Sequence, residues 1–292
     1  MFLLLSDVHG NSQAVKALTQ VIRPQVKEIK AIFIAGDFPG TIDKSLLLKH
    51  IIKTKRLNRQ KYAHYVYFEQ RRHFIWFQIQ SIKKCLEILK NASLLAKPTY
   101  YIPGNVDTQE SIACLHKLTK NYSTFHLLQD EWIMTNDKRY CIGGITGAIT
   151  YIVGSPSDGE FTREFYEKKV KTLSNKLPRF NKEETSCILL THEAPFATNL
   201  DQHPITRQAV GSKALRSLIE TINPSIAVSG HYHENQGISR LNKTYIINPG
   251  ALTMYQFAIF DEKSKQGKFY RLKTPISDYI GQIYRIREHF IK

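Results

Sequence analysis

The chain alternates between short apolar runs and longer stretches in which apolar residues return every three or four positions. Phe2–Leu5, Ala31–Ala35, Tyr100–Pro103, Ile188–Thr191 and Ile226–Ser229 are runs of the first kind, and they predict strands. Each stops at a polar side chain: Ser6-Asp7-Val8-His9, Gly36-Asp37, Gly104-Asn105, His192 and Gly230-His231-Tyr232-His233. In open α/β sheets, ligands gather outside the carboxyl ends of strands, so these loops can converge. Gly230 presents two imidazoles one residue apart in a single loop. Neutral imidazole is a good ligand for divalent transition metals.

Helical spacing fills the gaps between these runs. Asn11 or Ser12 can cap a helix through about Ile22, ended by Pro24. Residues 41–97 contain no Gly and no Pro, and Leu46, Leu47, Ile51, Phe74, Phe77, Ile82, Leu86 and Leu89 recur near helical spacing. That predicts a helical hairpin turning near Asn58. Further helices are expected from about Thr108 to Leu118, Phe161 to Leu177 and Gly211 to Ile222. Runs at 123–128, 131–136 and 139–145 read as a β-meander, with Gly143-Gly144 inviting a bulge or a close backbone approach. A long loop, Glu193–Val210, carries His203. Residues 237–241 and 244–248 predict a hairpin, and Phe257–Asp261 and Phe269–Leu272 further strands. Ile276, Tyr279, Ile280, Ile283, Ile286 and Phe290 suggest a C-terminal amphipathic helix over 274–292.

Composition narrows the class. With 292 residues, 42% hydrophobic and 23% charged, the chain reads as an ordinary globular protein able to bury a sizeable core. No uninterrupted apolar run is long enough to span a bilayer. Met1–Leu5 leads straight into Asp7, so it reads as a strand rather than a secretory leader. Cys85, Cys114, Cys141 and Cys187 lie far apart and fit reduced thiols in a cytoplasmic protein. The net charge of +16 favours anionic partners, although a lysine-rich background gives the same balance. Residues 44–97 hold thirteen Lys and Arg against two Glu, a net +11 of that excess. Aromatics, including Tyr62, Tyr65, Tyr67, Phe68 and Trp76, sit between the charges. That interleaving suits nucleic acid or another polyanion. It equally suits a self-packed helical pair or a homo-oligomer seam.

Asp7-x-His9, Gly36-Asp37, Gly104-Asn105, His192 and Gly230-His231-x-His233 resemble the motif series of calcineurin-like metallophosphoesterases. Asp7-Val-His-Gly-Asn11, Gly104-Asn-Val-Asp-Thr108, Val210-Gly-Ser-Lys-Ala-Leu-Arg216, Gly230-His-Tyr-His-Glu234 and Asn248-Pro-Gly250 resemble its archaeal-type branch of predicted phosphoesterases. The likeness covers roughly residues 1–40 and 98–261. It implies an α/β fold of the α+β type, a four-layer αββα sandwich over residues 1–273, interrupted by the basic helical insertion at about 41–97. It also implies two divalent transition metal ions, manganese first, with iron, zinc or nickel as alternatives. Asp37 would bridge them, with Asp7, His9 and His233 completing one site and Asn105, His192 and His231 the other. Asn105 would also lie near the substrate phosphate.

Two departures accompany the resemblance. Gly40 stands where the family often has a second Asp, a residue that is usually not a ligand. Val106 stands where many members have the His that protonates the leaving oxygen, and valine has no proton to give. General acid catalysis is typically worth about 10²–10⁴-fold, so another group, His203 or a water, would have to supply it or the substrate must carry a good leaving group. The expected function is hydrolysis of a phosphate mono- or diester by metal-activated water. The alternative is a protein-binding scaffold that reuses the fold with little activity, although such relatives typically lose the histidines that this chain keeps.

Overall fold

Strands that are apolar at every position must be covered on both faces, and that requirement organises the fold. The computed structural model describes residues 1–40, 71–150, 158–203, 205–272 and 289–291. One mixed sheet has the order β15 (His289–Ile291), β14 (Gln266–Arg271), β13 (Gln256–Asp261), β1 (Phe2–Leu5), β2 (Ala31–Ala35), β3 (Thr99–Ile102), β4 (Phe125–Leu127). A second has the order β11 (Gly237–Leu241), β12 (Thr244–Asn248), β10 (Ile226–Val228), β9 (Ser186–Thr191), β6 (Tyr140–Ile145), β5 (Glu131–Met134). A short parallel ribbon joins β7 (Ala148–Ile149) to β8 (Glu160–Phe161). Strands β1 to β4 run parallel in the first sheet, as do β6, β9, β10 and β12 in the second.

Side chains alternate across each strand, and the two halves of the alternation go to different cores. Phe2, Leu4, Phe33, Tyr100 and Ile102 from the first sheet meet Ile142, Ile188, Leu190, Ile226, Val228 and Ile247 from the second. Leu3, Leu5, Ile32 and Ile34 point outward, onto helices α1 (Ser12–Ile22) and α2 (Arg71–Asn91). On the far side, Leu189, Ala227 and Ile246 pack under α4 (Arg163–Asn175) and α5 (Lys213–Ile222). The result is a four-layer αββα sandwich, and α3 (Gln109–Thr119) adds Leu115 to the first outer layer.

Local chemistry sets the helix ends. Asn11 Oδ1 accepts from the Ala14 amide, and Thr108, Thr162 and Ser212 cap α3, α4 and α5 in the same way. Pro24 lies in a 3-10 turn, Arg23–Glu28, directly after α1. Helix α2 is the crossover between β2 and β3 and buries Ile82, Cys85, Leu86 and Leu89 in the same core as α1. The rest of the basic stretch, 41–70, lies outside the described residues, and with it the expected turn near Asn58 and the surface suggested for a polyanion. Among the described helices, none is long and apolar enough to cross a membrane.

Two sequence expectations need correcting. The run at 123–128 is not the first strand of a meander: β4 adds in parallel to β3 in the first sheet, while β5 and β6 form an antiparallel hairpin in the second. The chain changes sheets between them, through the buried Leu128 and through Asp130 at φ 58°. Close approach at Gly143 and Gly144 makes this fit. A Cβ would meet the Trp132 ring at 2.5 Å in the first case and Ile102 and Leu128 at 2.7 Å in the second. At the C-terminus, His289–Ile291 form a strand on β14 where helix was expected. The remainder of that segment, 273–288, lies outside the described residues.

Phe33 reports on the inter-sheet core. It is 1% exposed, with its ring 5.2 Å from Phe2 and 5.4 Å from Tyr100. Phe33→Ala should cost about 3–5 kcal/mol in urea unfolding, since the two sheets cannot close fully over the void. A loss below about 1 kcal/mol would mean the sheets do not meet there.

Candidate metal centre

The parallel strands of both sheets end at the same edge of the sandwich, and their loops interlock there. The amide of Asp7 donates to Gly36 O at 3.1 Å, that of His9 to Asp37 O at 2.9 Å, and that of Gly230 to His192 O at 3.1 Å. Asp7, His9, Asp37 and His231 all adopt left-handed backbone, with φ of 50°, 45°, 54° and 66°. Such conformations cost on the order of 1–3 kcal/mol each outside glycine and persist where the surroundings over-determine them. Glycine is needed beside them. A Cβ on Gly104 would lie 2.1 Å from Asp37 Oδ1, and one on Gly230 would lie 1.8 Å from Ser6 Oγ.

These loops aim seven side chains at two adjacent points. Around the first, His233 Nε2 lies 3.0 Å from Asp7 Oδ1 and 3.3 Å from His9 Nε2. Around the second, Asn105 Oδ1 lies 2.9 Å from His192 Nε2 and 3.1 Å from His231 Nδ1. Asp37 Oδ2 sits between the groups, 3.3 Å from His192 Nε2 and 3.9 Å from His9 Nε2. Its partner Oδ1 accepts from the Val106 amide at 2.9 Å, so only one carboxylate oxygen is left to face both groups. The structure thus brings together all of Asp7, His9, Asp37, Asn105, His192, His231 and His233.

Burial and neighbouring charge set the protonation of this cluster. Burial opposes ionisation of Asp7, but its hydrogen bond to His233 and the His192 charge hold it far below the usual carboxylate range. Burial likewise works against Asp37, and His192 overcomes it to lower that group. Burial alone would lower His192, yet Asp37 raises it to about 10. Burial and the His192 charge push His231 down to about 4. A donor set of imidazole nitrogens and carboxylate and amide oxygens suits a divalent transition metal better than calcium. His9 and His233 turn their Nε2 atoms toward one another at 3.3 Å, an arrangement a cation between the rings would favour. His192 Nδ1 lies 2.7 Å from Ala35 O; donating there fixes the ring with Nε2 facing the cluster. His9 Nδ1 is buried with no such partner among the described residues.

Several supports were not foreseen from sequence. Asp107 Oδ2 accepts from the amides of Gly104 at 2.7 Å and Asp37 at 2.9 Å, and the Tyr101 hydroxyl donates to Oδ1. Burial first, and then Asp37, raises Asp107 to about 7. Glu193, wholly buried beside His192, accepts from the Tyr232 hydroxyl at 2.8 Å and the Ile149 amide at 2.9 Å, tying two ligand loops to the β7 ribbon. Gln78 of α2 donates to Val106 O at 2.7 Å and accepts from Thr108 Oγ1 at 2.8 Å. Adjacency to a ligand could have flagged Glu193. Nothing in the helical pattern singles out Gln78.

His203 is not drawn into this cluster. Its Nδ1 accepts from the amides of Ile205 at 3.3 Å and Thr206 at 3.2 Å, closing its own turn. Among the described residues no hydrogen bond joins it to the seven. Val106 is tied in through its backbone, its amide donating to Asp37 and its carbonyl accepting from Gln78.

Comparison with known proteins agrees with this geometry. A family model described as metallophosphoesterase, calcineurin superfamily, matches residues 2–272. One solved crystal structure is similar at a TM-score of 0.68 and 17% identity, over 93% of this chain and 98% of the other. The crystal structure of TT1561 of Thermus thermophilus is similar at a TM-score of 0.61 and 15% identity, over the same 93% and 98%. At such identities the likeness concerns the fold. No curated protein matches the chain significantly. With a family match running almost end to end and a buried Asp/His cluster at the strand ends, the chain belongs to the calcineurin-like metallophosphoesterase superfamily.

Proposed function

We propose that the protein is a binuclear metal-dependent phosphoesterase that hydrolyses a phosphate mono- or diester without a histidine general acid. The observation that carries this is Asp37 Oδ2, placed between two donor groups with its other oxygen pinned by the Val106 amide. Asp7, His9 and His233 would hold one ion and Asn105, His192 and His231 the other, with Asp37 shared. Two divalent ions so held supply Lewis acidity, lowering the pKa of water and offsetting charge on the phosphoryl oxygens. Manganese is the first ion to test, followed by iron, zinc and nickel.

The chain's own residues do the rest. The interlocked loops hold the donors in place before any ligand arrives, so little reorganisation is left for the binding step. Asn105, with its oxygen among the ring nitrogens, would by the family resemblance also lie near the substrate phosphate. Val106 offers no proton to the leaving oxygen. A departing alkoxide must therefore take its proton from solvent, which favours esters of acidic alcohols. The scaffold reading is the weaker one, because a chain relieved of catalysis has no reason to hold four ligand residues in left-handed backbone.

Elemental analysis after Mn²⁺ loading should approach two ions per chain, and Asp37→Asn should lose at least one of them. Chelation should lower the melting temperature and Mn²⁺ should restore it, since a ligand that binds only the folded state stabilises it. A protein that takes up no divalent ion under any loading condition belongs with the scaffolds. Bis-p-nitrophenyl or p-nitrophenyl phosphate should turn over faster than simple alkyl esters by more than the about 10²–10⁴-fold that a general acid is worth. Equal rates on the two classes would show that some other group donates the proton, and His203→Ala would be the first check.

A further inference from the structure

We propose that Glu160 is a positioning residue that fixes which end of the Asn105 side-chain amide faces the metal centre. The inference rests on the metal reading above and adds a residue to it. Asn105 Nδ2 donates to Glu160 Oε1 at 3.3 Å, while Oδ1 lies 2.9 Å from His192 Nε2 and 3.1 Å from His231 Nδ1. An asparagine amide has an acceptor at one end and donors at the other, and half a turn exchanges them without changing its shape. Only the oxygen end can serve a cation. A carboxyl oxygen placed there accepts from the NH₂ end, so Glu160 holds that end away from the ring nitrogens. The reversed amide would set oxygen against carboxylate and lose the bond.

The fold presses Glu160 into this place. It stands on the β7–β8 ribbon, whose Gly147 amide donates to Pro103 O at 3.0 Å, one residue before the Gly104-Asn105 turn. Gly159, next to it, backs directly on that turn: a Cβ there would lie 2.2 Å from Gly104 O and 2.7 Å from Asn105 Cα. Glu160 Oε2 is buried and has no hydrogen-bond partner among the described residues.

The test is Mn²⁺ titration by calorimetry, with electron paramagnetic resonance to detect a coupled ion pair. It uses the wild type, Glu160→Ala, Glu160→Gln, Asn105→Asp and the double variant Asn105→Asp/Glu160→Gln, with thermal melts to confirm folding. Glu160→Ala should weaken one ion by about 10–100-fold, the range for losing a group that orients a ligand, and leave the other at its wild-type affinity. Glu160→Gln should weaken it less, because its carbonyl can still accept. In the Asn105→Asp background the same Glu160→Gln change should tighten binding, since it gives the introduced carboxylate a donor in place of a like charge. Simple loss of nearby negative charge predicts weakening in both backgrounds, and that result would overturn the inference. So would unchanged affinities in a folded Glu160→Ala. If Glu160→Ala does not fold, the sign of the Glu160→Gln effect in the two backgrounds decides alone. A wild type that binds no Mn²⁺ overturns the metal reading itself, and this inference with it.

Discussion

The site depends on the way Asp37 is held. Its amide donates to Asp107, its carbonyl accepts from His9, one carboxylate oxygen accepts from Val106 and the other faces His192. Val106 and Asp107 share the loop after β3, His9 follows β1 and His192 follows β9, so fixing this one residue fixes three strand ends relative to one another. A buried carboxylate unpaired in an apolar sandwich would cost several kcal/mol. Here its negative charge is what gathers the imidazoles, and the imidazoles in turn keep it ionised. Gly104 and Gly36 stand against it because any side chain there would collide with Asp37 or His192.

Much of this was legible in the sequence, for a physical reason. A strand buried on both faces is apolar throughout, so its end is marked where polar residues and glycine begin, and the short loop that starts there is delivered to the edge of the sheet. The seven candidate ligand residues and the strands behind them follow from that single pattern, read together with the family motifs. The layer order also follows, because Phe2 and Leu4 must face one core while Leu3 and Leu5 face another.

The illegible parts are those where position depends on contacts distant in sequence. Strand β4 has three half-buried residues and looks the same whether it pairs with β3 or with β5. What the run itself does not reveal is that Leu128, next to it, packs against Gly144 of β6. Glu160 lies on a strand of two residues, and only the closeness of Gly159 to the Asn105 loop places it at the site. His203 shows the opposite limit of a local reading. A histidine in a long loop looks like a spare proton donor, but its ring nitrogen is occupied by amides of its own turn.

The division of the ligands between the two sheets bears on how the protein comes to be made. Asp7, His9, Asp37 and Asn105 stand on the first sheet, and His192, His231 and His233 on the second. Each of the two donor groups draws from both, and His9 meets His233 across 224 positions of chain. Neither group is complete in a nascent chain or in an intermediate with only one sheet formed. On the proposed metal reading, ion capture would be a late event that follows docking of the sheets, and pairings so distant in sequence are slow to form. Once captured, the ions would act as a clasp between the layers, resisting their separation more than any one packing contact does.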